Sequence, residues 1–272
     1  MMLVNKCFKV AAVQMVSGIS VDLNLKHAES LINEAAQGAA EIVALPEYFC
    51  FMGRRDPDKL AIMESFGKGP IQDFLSDTAK RLKIWLIGGT LPLKSEDSDR
   101  IYNAMLVYGP DGKCAQRYDK IHLFGFKKGD EAYDESIAIR PGAAQARTVD
   151  TPLCRIGLSV CYDLRFPELY RAMGPVDLIV VPSAFTYTTG SAHWEILLRS
   201  RAIENQCYVL APAQGGKHEN GRRTWGHSML IDPWGEVVAC LPEGEGVVAG
   251  QVDLSHQEDV RSSLPALKHR KM

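Results

Sequence analysis

Three ionisable residues stand where a folding core has no need of them, and their types complement one another: Glu47, Lys120 and Cys161. Cys161 ends the apolar run that begins at Arg155-Ile156-Gly157-Leu158-Ser159-Val160. The polar segment Tyr162-Asp163-Leu164-Arg165 follows, where a helix can start. Runs of this kind read as buried parallel strands. In open α/β sheets, chemistry collects just beyond the carboxyl ends of such strands. A thiol at that point meets the positive end of a helix dipole and open backbone N–H groups. Both would lower its pKa from the free value of about 8.5. The alternative is that Cys161 is a buried small apolar side chain, as most free cysteines are. Taken singly, Glu47 after Pro46 reads as a solvated loop charge and Lys120 as a surface lysine.

Together the three make a nucleophilic set. A carboxylate can take the thiol proton if burial raises its pKa toward neutrality. A fixed ammonium and the N–H of Tyr162 can hold a tetrahedral oxyanion. The acyl-enzyme would be a thioester, which water then hydrolyses. No histidine occupies an equivalent position, so a Cys–His protease mechanism is less natural.

The composition restricts the alternatives. With 272 residues, 46% apolar and 24% charged, the chain reads as an ordinary globular protein. The net charge of -2 argues against a nucleic-acid footprint. No window approaches the ~18 uninterrupted apolar residues of a membrane span. Residues 1–17 lack the layout of a signal peptide. The 7 cysteines are scattered and form no C-x-x-C, which suits a reducing, cytoplasmic setting. No H-E-x-x-H or H-x-H suggests a metal, and no glycine-rich fingerprint suggests a nucleotide, so neither metal nor organic cofactor is expected.

These residues need elements to hold them. Residues 8–15 read as a strand. A helix follows that Asn24 can cap, with Leu25, Ala28, Ile32 and Ala35 at helical spacing and Gly38 near its end. A second strand covers 41–46, so the unit predicts parallel pairing. Gly69-Pro70 opens a helix with Ile71, Phe74, Leu75 and Leu82 on one face. A strand at 84–89 and a charged loop at 91–100 come next. Residues 103–108 and 114–118 flank Gly109-Pro110-Asp111-Gly112 as a hairpin. Residues 119–141 read as one long irregular segment, which loops of that length make a functional candidate. Beyond Cys161 come a helix at 167–173, a strand at 177–182, a helix at 191–205 and a strand at 207–212. That second helix offers Trp194, Leu197, Leu198 and Ile203 for burial. A hairpin at 228–232 and 236–240, a strand at 247–252, a short helix from Ser255 and a basic tail at 268–272 complete the chain.

Residues 9–13 and 155–159 echo each other. Both open with a cation and an apolar run, and both lead through a helix to a strand that stops at proline, Pro46 or Pro182. The echo suggests pseudo-two-fold halves, although buried strands all draw on the same residues. No linker divides the chain. One domain is expected over 1–272, with a core of about 9–254 and a C-terminal helix and tail at 255–272, built as two packed sheets with helices outside.

Three stretches, Leu45-Pro46-Glu47-Tyr48-Phe49, Tyr118-Asp119-Lys120-Ile121-His122-Leu123-Phe124 and Val160-Cys161-Tyr162-Asp163-Leu164-Arg165-Phe166-Pro167-Glu168, resemble the nitrilase superfamily of carbon–nitrogen hydrolases, in that family's order. The likeness runs from about residue 9 to 267. It implies an α/β fold, a four-layer α-β-β-α sandwich of two mixed sheets, pairing as a homodimer. It also implies Glu47 as general base, Lys120 as stabiliser of the tetrahedral intermediate, Cys161 as nucleophile and, in many members, a second glutamate. Glu135 fits that place, and Glu131 fits it less well.

Within the superfamily the chain is most similar to deaminated-glutathione amidases and ω-amidases, through Cys161–Glu168, Pro182-Ser183-Ala184-Phe185-Thr186 and the segment from His193-Trp194 to Asn205. That implies hydrolysis of linear amides rather than peptide bonds, on a small carboxylated substrate, releasing ammonia. An ω-amidase acting on α-ketoglutaramate or an N-carbamoyl amidohydrolase is the alternative, and a scaffold protein on a retained hydrolase fold is the reading from another class. A carboxylated substrate suits a bidentate arginine. Arg165 is the candidate, against a structural ion pair with Glu168 or Asp163. Tyr162, Phe185 and Thr186 are further candidates for the pocket. Arg222 and Arg223 read as solvated, Glu204 and Asn205 as structural. The 125–130 segment departs from ω-amidases and should border the pocket.

Overall fold

The computed structural model describes residues 7–129 and 131–271. Residues 1–6, Asp130 and Met272 lie outside them, and with them part of the N-terminal reading, one residue of the 125–130 segment and the end of the basic tail.

The first half of the chain runs β1 (Cys7–Gln14), α1 (Val21–Gln37), β2 (Ile42–Ala44), α2 (Pro70–Leu82), β3 (Trp85–Ile87), β4 (Leu91–Lys94), β5 (Ile101–Tyr108) and β6 (Cys114–Asp119). A small hairpin of β7 (Gly125–Lys128) and β8 (Glu131–Asp134) follows. The second half runs β9 (Arg147–Asp150), β10 (Arg155–Leu158), α3 (Pro167–Ala172), β11 (Leu178–Val180), α4 (Tyr187–Asn205), β12 (Tyr208–Ala211), β13 (Ser228–Ile231), β14 (Val237–Leu241), β15 (Gly246–Asp253) and α5 (Leu254–Ser263).

Two mixed sheets result. One has the order β15-β1-β2-β3-β5-β4 with β6 also on β5, and the other β14-β13-β12-β11-β10-β9. In the first, parallel β1, β2 and β3 are flanked by antiparallel β15 and β5. In the second, parallel β10, β11 and β12 are flanked by antiparallel β9 and β13. The echo between residues 9–13 and 155–159 is therefore a repeat of strand pattern.

Alternation along the strands assigns the faces. Phe8, Val10 and Ala12 of β1 join Ile156, Leu158, Leu178, Val180 and Leu210 in one core between the sheets. Ala11, Val13 and Met15 turn the other way, onto Ala28, Ile32, Ile71 and Leu75 of α1 and α2. On the far face of the second sheet, Gly157 lies beneath Met173, and a Cβ there would come within 2.6 Å of its sulfur. Sheet faces of period two and helix stripes of period 3.6 thus meet, with α1 and α2 packed on the first sheet and Tyr170, Trp194 and Leu198 of α3 and α4 in the core that the second sheet shares.

Several boundaries differ from the sequence reading. Ser20, not Asn24, caps α1; Asn24 lies within the first turn, where its buried amide bonds Gly18 and Cys50. The 91–100 stretch begins with the edge strand β4. Its proline is tolerated because an edge strand need not donate on both sides, and the charges that follow obscured its two buried leucines. The 119–141 segment contains the β7–β8 hairpin, whose four-residue strands set Phe126 opposite Tyr133, with the Phe124 ring against both. Helix α4 begins at Tyr187, under a Thr186 cap, because Thr188, Thr189 and Gly190 are poor helix formers that hide its first turn. Ile203 on that helix is 49% exposed and does not enter the core.

Candidate active site

β2 delivers Glu47. Past Ala44 the chain turns through Pro46, and Tyr48 adopts φ +58 with its N–H bonded to Thr90 Oγ1 at 2.9 Å. Gly89 is required beneath this turn. Its φ is +52, and a Cβ there would sit 2.1 Å from the Pro46 carbonyl oxygen. Lys120 follows β6. Its N–H donates to the Asn103 carbonyl at 3.0 Å, and its own carbonyl accepts from Gly142 at 2.9 Å. Cys161 follows β10 at the start of the single-turn helix Cys161–Arg165. It sits at φ +49, with its N–H donated to Pro182 at 3.0 Å. A left-handed conformation at a non-glycine residue costs energy, and such residues concentrate at functional sites.

These turns bring Glu47, Lys120, Glu135 and Cys161 together in the interior. The Lys120 Nζ donates to Glu47 Oε1 at 2.9 Å and contacts both oxygens of Glu135, at 3.0 and 2.8 Å. Glu47 is held by two further donors: Asn103 Nδ2 to Oε1 at 2.9 Å, and the Ala184 N–H to Oε2 at 3.0 Å. Glu135 accepts from the Tyr48 hydroxyl at 2.8 Å and the Phe124 N–H at 2.7 Å. Cys161 lines the same cleft as Glu47, and the nearby Glu47 carboxyl acts on its thiol. Far from being a surface lysine, Lys120 is 0% exposed.

Two carboxyls and one ammonium share this buried space, so their charges are unequal. Burial pushes the Glu47 carboxyl up, and the negative charge of Glu135 adds to that against the pull of Lys120. Burial works against the charge of Glu135 as well, but the Lys120 contacts and its two other donors outweigh it and lower its pKa. Burial likewise opposes the Lys120 charge, yet Glu135 and Glu47 hold its pKa well above the ordinary value. Glu135 and Lys120 thus form an ion pair, and Glu47 is the carboxyl whose charged form this burial disfavours.

The thiol corrects the sequence reading. Burial, and then the charge of Glu47, push Cys161 well above the free thiol value. The helix it opens is a single turn, too short to supply a strong dipole. Burial and the Glu47 charge both favour the neutral thiol over the thiolate.

Cys161, Glu47 and Glu135 floor a cleft with about 620 Å³ of empty space, including its mouth. All four predicted pocket residues line it. Thr186 does so while accepting from Thr189 as the α4 cap, and Tyr162 packs edge-on against Phe124 and Phe166. Arg165 is not tied to Glu168 or Asp163. Its Nη1 lies 3.2 Å from His193 Nδ1, and its guanidinium lies 5.5 Å from the Phe185 ring. Glu131 is outside the charged group and accepts from Thr188 at 2.7 Å.

Arg222 and Arg223, expected in solvent, also line the cleft. Arg222 pairs with Asp56 at 3.2 Å over the Tyr133 ring, and Arg223 pairs with Glu243 at 2.7 Å over the Tyr187 ring. Sequence reasoning also missed Tyr48 and Asn103. Tyr48 adjoins Glu47 and so was within reach; nothing in its neighbours marked Asn103.

The family model for carbon–nitrogen hydrolases matches residues 9–262. A deaminated glutathione amidase of Synechocystis is 38% identical, covering 97% of this chain and 98% of its own. The omega-amidase NIT2 of Homo sapiens is 39% identical, covering 97% of this chain and 95% of its own. The crystal structure of the C. elegans NitFhit protein superposes with a TM-score of 0.90 at 38% identity, over 97% of this chain but only 65% of that one.

Proposed function

The chain belongs to the carbon–nitrogen hydrolase family, and from that premise we propose that it is a cysteine-dependent amidase acting on the amide bond of a small carboxylated substrate. The observation that carries the reading is the contact of Lys120 with both Glu47 and Glu135 beside the Cys161 thiol, at the floor of an arginine-bearing cleft.

In the proposed reaction Glu47 accepts the thiol proton as the sulfur attacks the amide carbon. The oxyanion that forms is held by the Lys120 ammonium and the Tyr162 N–H. That N–H has no backbone acceptor among the described residues, while its neighbours at Cys161 and Asp163 are both bonded. Glu47 returns the proton to the nitrogen, and the C–N bond breaks to leave a thioester. A primary amide releases ammonia. An N-substituted amide, such as those of deaminated glutathione, releases an amine. Water then attacks the thioester, Glu47 takes its proton, and the acid leaves with the thiol restored. Glu135 keeps Lys120 charged throughout. The scheme draws on no metal or organic cofactor.

Arg165 is the guanidinium proposed for the substrate carboxylate, because Arg222 and Arg223 already hold carboxylate partners. Tyr162, Phe185 and Thr186 shape the space around it. Resemblance to both named relatives supports an ω-amide of a short dicarboxylic acid. Turnover of α-ketoglutaramate, deaminated glutathione and an N-carbamoyl amino acid by wild type and Cys161→Ala tests this. Hydrolysis of the first or second by wild type alone is expected, and retained turnover in the variant sinks the assignment.

All 7 cysteines are free, which supports a cytoplasmic setting. Among the described residues no helix is long and apolar enough to cross a membrane. A homodimer is proposed through the outer face of α4 and the β13–β14 turn, where Ile196, Ile203 and Trp234 are exposed.

A further inference from the structure

Asp163 is wholly buried two residues beyond Cys161, and both of its carboxylate oxygens are used. Oδ2 accepts from the Tyr118 hydroxyl at 2.6 Å and from the Val160 N–H at 2.9 Å. Oδ1 accepts from the His122 N–H at 3.0 Å and lies 2.6 Å from His122 Nδ1. Tyr118 and His122 lie two residues before and two residues after Lys120, and Val160 immediately precedes Cys161. One carboxylate therefore ties both flanks of the lysine segment to the turn that carries the sulfur. The anchors are stiff. Tyr118 is 2% exposed, and the His122 ring stacks on Phe166 at 3.7 Å with the planes 8° apart. Charge-assisted bonds in a dry interior are short and resist displacement.

We propose that Asp163 is a positioning residue that fixes where Lys120 stands relative to Cys161. Its kinetic consequence rests on the amidase reading; the geometry does not. Capping of the Cys161–Arg165 turn would need only the Val160 N–H bond. The three bonds to Tyr118 and His122 reach across to a different sheet and converge around Lys120. Asn103 and Gly142 hold Lys120 from its own side, and Glu135 holds only its ammonium, whereas Asp163 grips both flanks of the lysine segment from the sulfur-bearing turn.

The test uses Asp163→Asn and Tyr118→Phe in the full chain, with turnover, thermal unfolding and iodoacetamide labelling read together. Labelling is followed at the Cys161 peptide by mass spectrometry, and the exposed Cys114 and Cys240 serve as references. For folded Asp163→Asn, kcat falls about 100-fold with KM little changed, as a displacement of order 1 Å in a catalytic array can cause. Cys161 labelling slows relative to the two references. Tyr118→Phe keeps the Asp163 charge and so separates position from charge. It changes kcat and labelling in the same direction by less, and adding it to Asp163→Asn costs nothing further.

Asp163→Asn that melts earlier yet keeps wild-type kcat and labelling overturns the proposal, since Asp163 would then serve stability alone. If that variant does not fold, Tyr118→Phe decides, and wild-type kcat and labelling there overturn it equally. A wild type that hydrolyses none of the amides sinks the amidase reading but leaves the labelling comparison to judge Asp163.

Discussion

The Tyr48 hydroxyl donates to Glu135 Oε1 at 2.8 Å, so the residue next to Glu47 in the chain also holds the other carboxylate of the site. Its ring lies 4.4 Å from the ammonium of Lys59, which fixes it from behind. Tyr48→Phe removes one donor from an ionised, buried carboxylate. A bond of that kind contributes about 1.5–3 kcal/mol, so kcat is expected to fall about 10-fold or more with KM nearly unchanged. Steady-state kinetics on the best amide checks this.

Glu47→Gln keeps the shape of the side chain and removes the proposed base. Loss of a general base costs roughly 10²–10⁴-fold in kcat. The acid limb of the pH profile carries the sign. Glu47 must be ionised to take the thiol proton, and burial raises its pKa. Activity in kcat/KM is therefore lost on acidification at a higher pH than a free glutamate, with its pKa of about 4.3, would give. That limb disappears in the residual activity of Glu47→Gln. A wild-type profile flat down to the free-carboxylate range contradicts the assignment.

Arg165→Met leaves the aromatic wall in place and removes the guanidinium. With a carboxylated substrate the lost charge-assisted contact is of order 1.5–3 kcal/mol, so KM should rise about 10- to 100-fold. An otherwise similar amide without the carboxylate should show little change. Equal losses on both substrates would show that Arg165 does not read the carboxylate.

Gly89→Ala acts on Glu47 from below. The added methyl would press on the Pro46 carbonyl at 2.1 Å and in a left-handed conformation. A cost of about 2 kcal/mol is expected, of the size that overpacking and backbone strain produce. Chemical denaturation measures the loss, and kcat should fall with it because the Glu47 turn must move.

Ile196→Asp tests the proposed pairing face. Ile196 is 67% exposed on α4. Light scattering should give twice the chain mass for wild type and a single chain mass for the variant. An unchanged mass would place the interface elsewhere.

The sequence exposed some of this and concealed the rest for physical reasons. The β strands that end at Pro46 and Pro182 are continuous apolar runs, so their burial and parallel pairing were readable from period and length. Glu47 and Cys161 stood out because each follows such a run, and Lys120 because it follows a hairpin strand at Tyr118-Asp119. Asn103 did not, because a polar residue within a hairpin strand looks like its solvent face, while here it points into the core at Glu47. Arg222 and Arg223 looked solvated because their partners, Asp56 and Glu243, lie 166 and 20 residues away in the chain. The thiol pKa was misjudged because local sequence shows a helix start but not the burial and the carboxylate that meet it in the fold.

Glu47 and Lys120 leave strands of one sheet, whereas Cys161 leaves the other. Neither half of the molecule can assemble the acid, the amine and the sulfur by itself. Turnover is thus a gauge of contact between the layers. In a urea titration, activity should vanish no later than the fluorescence of Trp194, which is buried in the shared core, and any lead of the first over the second would measure how easily the layers slip before they part.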